Sequence, residues 1–85
     1  MHTQEETLAA MSRIGTMAKG KVTVSRTAKS GRRYYSLQAR HGGRNVTRYL
    51  AADKVAAVRE ATENYRRFME LVEQYVEASS RRLNL

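Results

Sequence analysis

The spacing of hydrophobic residues changes twice along the chain, and each change predicts a new element. Near the start, apolar residues recur at helical spacing, at Leu8, Met11, Ile14 and Met17. The preceding Thr3-Gln4-Glu5-Glu6 has the form of a capping box, in which a threonine side chain caps the helix and a glutamate follows three residues later. The pattern predicts a first helix over residues 4–18, and a glycine, Gly15 or Gly20, can end it.

From residue 20 to residue 50, apolar residues recur at every second position, which predicts β-strands. Val22 and Val24 alternate with polar residues, and a turn-like stretch follows at residues 28–31. Two further alternating runs flank Gly42-Gly43, a pair that tolerates the positive φ angles of a two-residue hairpin turn. This predicts a three-stranded antiparallel sheet.

A two-residue turn at Gly42-Gly43 fixes the register of this hairpin, because paired residue numbers must then sum to 85. One face is mostly apolar and consists of Tyr35, Leu37, Ala39, Val46 and Leu50, with Arg48 as the exception. The other face is polar, aromatic and basic and consists of Tyr34, Ser36, Gln38, Arg40, Asn45, Thr47 and Tyr49. A shift by one residue would mix the two sets, so turn chemistry and patterning agree.

A long helix is predicted over residues 52–80, because apolar residues step by three and four from Val55 to Val76 without an intervening glycine or proline. Residues 81–85 are predicted to be a frayed tail. The whole chain, 1–85, is therefore expected to be a single domain of the α+β class. Its expected elements are a short N-terminal helix, a three-stranded antiparallel sheet and a long C-terminal helix packed on that sheet.

The predicted helix is longer than the sheet that is to cover it. A helix of ~28 residues extends ~42 Å, whereas strands of six or seven residues cover only ~20 Å. The apolar residues in the second half of the helix must then be buried by another segment, and the first helix has few apolar residues with which to bury them. We therefore expect a homodimer, with an interface formed by Phe68, Met69, Leu71, Val72, Tyr75 and Val76.

Positive charge is concentrated in the middle of the chain. Residues 19–50 hold nine lysine and arginine residues and no acidic residue, so this segment supplies the whole net charge of +8. The residues on either side are close to neutral. A field of one sign over one segment favours a polyanionic partner, and nucleic acid is the commonest one in the cytosol.

Several classes of function have no support in the sequence. The chain has no cysteine and one aspartate, and its histidines, His2 and His41, lie in a terminus and beside a turn. We expect no enzyme, no metal site and no cofactor, because no catalytic constellation or phosphate-binding loop is visible. Neither a signal peptide nor a membrane-spanning run is apparent, which predicts a soluble cytoplasmic protein.

The basic hairpin is the strongest candidate for a binding site. Arg33, Arg40 and Arg44 can engage phosphates or guanine edges, and Gln38 and Asn45 can pair with adenine edges. Tyr34 and Tyr49 can stack on bases or donate to phosphates, although cross-strand aromatic residues also simply stabilise sheets. The predicted nucleic-acid site consists of Lys21, Lys29, Arg32, Arg33, Tyr34, Gln38, Arg40, Arg44, Asn45, Thr47 and Tyr49.

The sequence also resembles a family of small uncharacterised bacterial domains that are often encoded in or beside transposases and other mobile elements. The residues that carry the resemblance are Tyr34-Tyr35-Ser36-Leu37, Gly42-Gly43, Val46-Thr47-Arg48-Tyr49-Leu50 and later positions of the long helix. It covers roughly residues 8–78 and implies a mobile-element setting and contact with nucleic acid. Many members carry a cysteine cluster before the tyrosine pair, and residues 25–33 of this chain have none.

The sequence thus predicts a nucleic-acid-binding accessory or regulatory protein of a mobile element, with DNA favoured over RNA as the ligand. The alternative is a protein-interaction module, such as an inhibitor from a phage or plasmid, that binds an acidic surface of a host protein. Both would use the same positive field, so composition does not separate them.

Overall fold

The computed structural model describes residues 3–85 and contains two helices and one sheet. Helix α1 spans Gln4–Ser12 and is followed by strands β1, Lys21–Thr27, β2, Arg33–His41, and β3, Arg44–Leu50. A single 3₁₀ turn, Ala52–Lys54, leads into the long helix α2, Val55–Arg81. The α+β class, the three antiparallel strands and the packing of the long helix on the sheet are confirmed.

Helix α1 starts as predicted but ends six residues early. The backbone N–H of Glu6 donates to the Oγ1 of Thr3 over 3.1 Å, as a capping box requires. After Ser12 the chain leaves the helix and runs along α2, where the Ala18 N–H donates to the Ala61 carbonyl and the Asn64 side chain donates to the Thr16 carbonyl. An extended chain covers about twice the distance per residue of a helix, so this short segment can connect α1 to β1.

The sheet has the order β1-β2-β3, with β2 in the centre. In the β2–β3 hairpin, Tyr35 pairs with Leu50, Leu37 with Arg48 and Arg40 with Asn45, so the predicted register is confirmed throughout. Gly42 and Gly43 both have positive φ, 56° and 78°, as the tight hairpin turn demands. Because paired residues share a face, this register separates the apolar from the polar residues.

Helix α2 packs on the apolar face of the sheet, nearest to β1. The guanidinium of Arg59 on α2 lies 5.6 Å from the ring centroid of Tyr35 on β2. The chain enters the sheet at Gly20, whose φ is 130° and where an added Cβ would lie 2.5 Å from the Gln38 carbonyl oxygen. Only glycine permits this close approach to the central strand. The buried apolar residues of the described chain are Leu50, Val55, Ala61 and Leu71.

The C-terminal end is ordered by hydrogen bonds, so the prediction of a frayed tail over residues 81–85 is wrong. Asn84 adopts a left-handed conformation with φ 60°, and the Leu85 N–H donates to the Ser80 carbonyl over 3.2 Å. This is a Schellman-type cap, which satisfies carbonyl groups that the helix end leaves without partners. The Arg82 guanidinium also donates to the Gln4 side chain, which ties the end of α2 to the start of α1.

Helix α1 lies along the second half of α2 and covers one side of it. Thr7 of α1 is fully buried, and Leu71 of α2 is buried within the single chain. Leu71 was predicted to lie in a dimer interface, and its burial by the chain itself corrects that expectation. Phe68 and Tyr75 share the side of Leu71 because they are three and four residues away, and both are half-buried.

The molecule is elongated, with principal extents of 59, 27 and 17 Å. Its radius of gyration is 17.2 Å, whereas a compact domain of this length would have about 12 Å. The sheet lies at the N-terminal half of α2, and its face remote from the helix is uncovered. That uncovered face holds most of the residues predicted to bind a ligand.

Candidate nucleic-acid interface

Strand pairing brings eight polar, aromatic and basic residues onto the sheet face that α2 does not cover. We call this surface the basic face and define it as Lys21, Arg26, Tyr34, Gln38, Arg40, Asn45, Thr47 and Tyr49. Seven of these residues were predicted from the sequence, and Arg26 was not. All of them except the half-buried Tyr34 are exposed. The predicted binding residues on this face are therefore accessible rather than covered by the chain itself.

The hairpin end of the basic face forms a shallow depression. It is lined by five of the predicted residues, Lys21, Gln38, Arg40, Asn45 and Thr47, together with Ala39 and Val46. Lys21 pairs with Gln38 and Gln38 with Thr47, so these three side chains form one row across the sheet. The Arg40 guanidinium makes a long contact of 3.5 Å with the Gly43 carbonyl, which leaves its other N–H groups available. Cationic and amide donors thus converge on one concave surface.

The opposite end of the basic face carries an aromatic ring between two guanidinium groups. Arg26 lies 4.5 Å and Arg32 lies 5.6 Å from the ring centroid of Tyr34. Both distances fall within the range of cation–π attraction. The tyrosine ring therefore orients two positive charges at this end of the sheet.

Arg26 reaches this face because of a β-bulge that the sequence pattern does not predict. The register of β1 against β2 shifts between Val24 and Arg26, so that Arg26 pairs with Tyr34. The extra residue is Ser25, whose hydroxyl donates to the Tyr34 carbonyl over 3.1 Å. Without the bulge, strict alternation would pair Arg26 with Arg33 and place it on the other face. No turn residue or break in the apolar pattern marks this position.

Between the two ends of the basic face, the small residues Thr23 and Ser36 lie in one row with Tyr49. Ser36 is only 5% exposed, because its small side chain lies on the central strand between two larger neighbours. Tyr49, on the edge strand β3, is 65% exposed. Its ring is the aromatic surface on this face that is available for stacking, whereas Tyr34 already contacts two arginine side chains.

Three predicted residues do not join the face with the others. Arg33 lies two residues before Tyr35 on β2 and therefore shares its face of the sheet. Arg44 pairs with His41 next to the turn, one position from the pair Arg40–Asn45. Because side chains alternate between the two faces, both arginines lie on the opposite side from Arg40. These two members of the predicted site therefore do not share a surface with Arg40. Lys29 is exposed in the turn between β1 and β2, beyond the end of the face. His2, a weak candidate in the sequence, lies outside the described residues.

The sheet carries positive charge without acidic partners. Residues 19–50 contain no aspartate or glutamate. Within residues 3–85, two salt bridges are formed on α2, between Arg66 and Glu63 and between Arg81 and Glu77. Charges on the basic face are therefore screened by solvent and mobile ions rather than by fixed carboxylates.

The two cationic ends of the basic face are separated by six residues of β2, from Tyr34 to Arg40. At about 3.3 Å per residue this is a distance of roughly 20 Å. Phosphates on one strand of a duplex follow one another about every 3.4 Å along the axis, so the face can contact several of them. The amide groups of Gln38 and Asn45 lie among the cations and can read base edges.

Fold and surface together define a small α+β domain with one exposed basic sheet face. The chain belongs to the family described as Domain of unknown function (DUF6788), which matches residues 3–60. The match includes α1, the whole sheet and the start of α2, and it confirms membership of a small uncharacterised domain family. No curated protein and no solved structure matches the chain. In the described part of the chain, no helix is both long and apolar enough to span a membrane.

Proposed function

We propose that this protein binds nucleic acid through the basic face, with DNA favoured over RNA. The observation that carries the proposal is the arrangement of Lys21, Arg26 and Arg40 on one uncovered face with no acidic residue in the sheet. Arg32, stacked on Tyr34, adds a fourth positive charge. Phosphate contacts of this kind supply most of the affinity of nucleic-acid-binding proteins.

DNA is favoured by the shape of the surface and by its donors. A two-stranded β-ribbon can enter the major groove of B-form DNA, and the β2–β3 hairpin projects such a ribbon beyond the region that α2 covers. Arg40 can donate two hydrogen bonds to guanine, and Gln38 or Asn45 can pair with adenine. The deep, narrow major groove of A-form RNA would exclude these side chains.

The biological setting that we propose is a mobile element, in which the protein acts in the cytoplasm as an accessory or regulatory DNA-binding factor. The support for this setting is the resemblance of the sequence to small bacterial domains encoded in or beside mobile elements. Membership of a domain family of unknown function is consistent with it.

The test is a binding titration followed by fluorescence anisotropy, with the full chain and labelled probes of equal length. The probes are mixed-sequence duplex DNA, single-stranded DNA and duplex RNA. We expect the tightest binding to duplex DNA and a strong loss of affinity in the double variant Lys21→Ala/Arg40→Ala. A control variant, Arg13→Gln/Arg67→Gln, removes the same charge from the crevice between α1 and α2 and should bind nearly as well as the unmodified chain. Equal affinity of the two variants would refute the assignment of the site.

The second candidate function is recognition of an acidic protein surface. It is favoured by Tyr49, because its ring is 65% exposed on this face and tyrosine is enriched in protein-binding hot spots. Affinity purification of the tagged chain separates the two functions. Recovery of one stoichiometric acidic protein that persists after nuclease treatment, together with no binding to any of the probes, would favour the protein partner.

A further inference from the structure

An apolar stripe on α2 continues beyond the sheet and is left uncovered. The stripe, here called the seam, consists of Met69, Val72, Val76 and Leu83. Met69, Val76 and Leu83 are 41%, 56% and 69% exposed, and Val72 is half-buried. The steps of three and four residues place Met69, Val72 and Val76 on one side of the helix, at the spacing of a short coiled coil, and Leu83 follows in the capping turn seven residues after Val76. This is a different side from the one that α1 covers through Leu71.

The surface area of the single chain is larger than that expected for a compact monomer of its mass. The accessible surface is 6784 Å², whereas a folded monomer of this mass is expected to expose about 5,100 Å². The excess is on the order of 1,700 Å², compared with about 800 Å² that each partner buries in a standard protein interface. With few buried apolar residues and no disulfide, association is the usual way for such a chain to gain a core.

We propose that the seam is the interface between two copies of this chain, which pair through the C-terminal halves of α2. A second copy fits because it presents the same narrow apolar stripe, and two such stripes can interdigitate along their full length. The proposal does not depend on nucleic-acid binding, since the seam lies on α2 and the basic face lies on the far side of the sheet. It retains Met69, Val72 and Val76 of the predicted interface and assigns Leu71, Phe68 and Tyr75 to packing with α1.

The position of the sheet determines the relative direction of the two helices. Thr62 and Tyr65, which continue the seam toward the N-terminal end of α2, line a crevice with Gly20 at the entry to β1. Met69 lines the same crevice, so the sheet occupies the same side of α2 as the seam and borders its first residue. In a parallel pair, both sheets would have to fit between the two helices at one end. An antiparallel pair places the two sheets at opposite ends and leaves the seams free to meet.

Cysteine cross-linking tests both the pairing and its direction, because the natural sequence contains no cysteine. Val76 lies midway between Met69 and Leu83, so in an antiparallel pair the two copies of Val76→Cys lie close together. The two copies of Met69→Cys would then be separated by roughly 20 Å along the helix axis. We expect a short bismaleimide to join Val76→Cys chains efficiently and to leave Met69→Cys and the exposed control Ala56→Cys unjoined.

Each outcome of this experiment bears on the proposal. Cross-linking of Met69→Cys as efficient as that of Val76→Cys would overturn the antiparallel arrangement. No cross-linking of Val76→Cys, or equal cross-linking of Ala56→Cys, would overturn the seam as an interface. Valine to cysteine at this half-exposed position removes little packing, so the variant retains the fold.

Sedimentation equilibrium of the unmodified chain provides the second measurement. We expect the mass of a dimer, and we expect Met69→Glu/Val76→Glu to raise the dissociation constant at least about 100-fold because it would bury unpaired carboxylates. The charge-matched control Arg13→Gln/Arg67→Gln should remain dimeric. Circular dichroism confirms that each variant is helical. A monomeric mass for the unmodified chain, or a dimer unaffected by the two glutamates, would refute the proposal.

Discussion

The salt dependence of DNA binding gives the sharpest test of the basic face. Four cationic side chains point to this surface, Lys21, Arg26, Arg32 and Arg40. If each one neutralises one phosphate of a duplex, the slope of log affinity against log salt is about −0.9 per contact, or roughly −3.6 in total. Raising the salt concentration fourfold should then weaken binding about 150-fold.

The perturbation is the double variant Lys21→Ala/Arg40→Ala, which leaves two of the four cations. Its slope should fall to roughly −1.8, and the same fourfold rise in salt should weaken binding only about 12-fold. The assay is a series of anisotropy titrations of one duplex at several salt concentrations. The control Arg13→Gln/Arg67→Gln loses the same net charge and should keep the steeper slope. A variant slope equal to that of the unmodified chain, or a control slope that falls as far, would refute the assignment of the contacts to this face.

Three further predictions concern single side chains. Tyr49→Ala should weaken binding to single-stranded DNA by about 1–3 kcal/mol if the exposed ring stacks on a base, with Tyr49→Phe close to the unmodified chain and no change in the urea midpoint for either. Gly20→Ala should lower the free energy of unfolding in urea by more than about 2 kcal/mol, because the added Cβ would lie 2.5 Å from the Gln38 carbonyl oxygen. The control Gly15→Ala has open space around the added Cβ and should change the free energy of unfolding by no more than about 0.5 kcal/mol. Thr3→Ala should remove the cap of α1 and cost about 1 kcal/mol, and Thr3→Ser should restore it; an unchanged midpoint for Thr3→Ala would show that the cap contributes nothing.

The hairpin was the part of the fold most fully predictable from sequence. Two physical constraints act on the same residues there: the alternation of the pleat and the positive φ of a glycine pair in a tight turn. Both lead to the same register, in which Tyr35 pairs with Leu50 and Arg40 with Asn45. Agreement of independent local constraints is what makes such a prediction reliable.

The errors arose where local pattern competes with tertiary contacts. Apolar residues at helical spacing predicted α1 as far as residue 18, but Ile14 and Met17 lie in a segment without regular secondary structure, parts of which bond to α2. The tail was predicted to fray, but a left-handed Asn84 and a contact between Arg82 and Gln4 hold it in place. Propensity is a weak constraint at the ends of helices, where hydrogen bonds to the rest of the chain decide the conformation.

In the candidate site, too, some positions followed from the local pattern and others depended on contacts between strands. Alternation alone placed Gln38, Arg40, Asn45 and Thr47 together, and the structure brings them to one depression. The same alternation separates Arg33 and Arg44 from them, although all six residues belong to the predicted site. Arg26 required the bulge at Ser25, which is a property of how two strands meet rather than of either strand alone.

The sequence by itself determined the number and type of the elements, the register of the hairpin and the location of the positive charge. These depend on short-range periodicity, turn geometry and side-chain chemistry, all of which act between residues close in the chain. Tertiary structure alone decided which side of α2 is covered by α1, which face of the sheet remains open, and that Leu71 is buried while Met69 and Val76 are not. The reason is that burial depends on where distant segments pack, and a repeating apolar stripe specifies that a partner is needed without specifying which segment provides it.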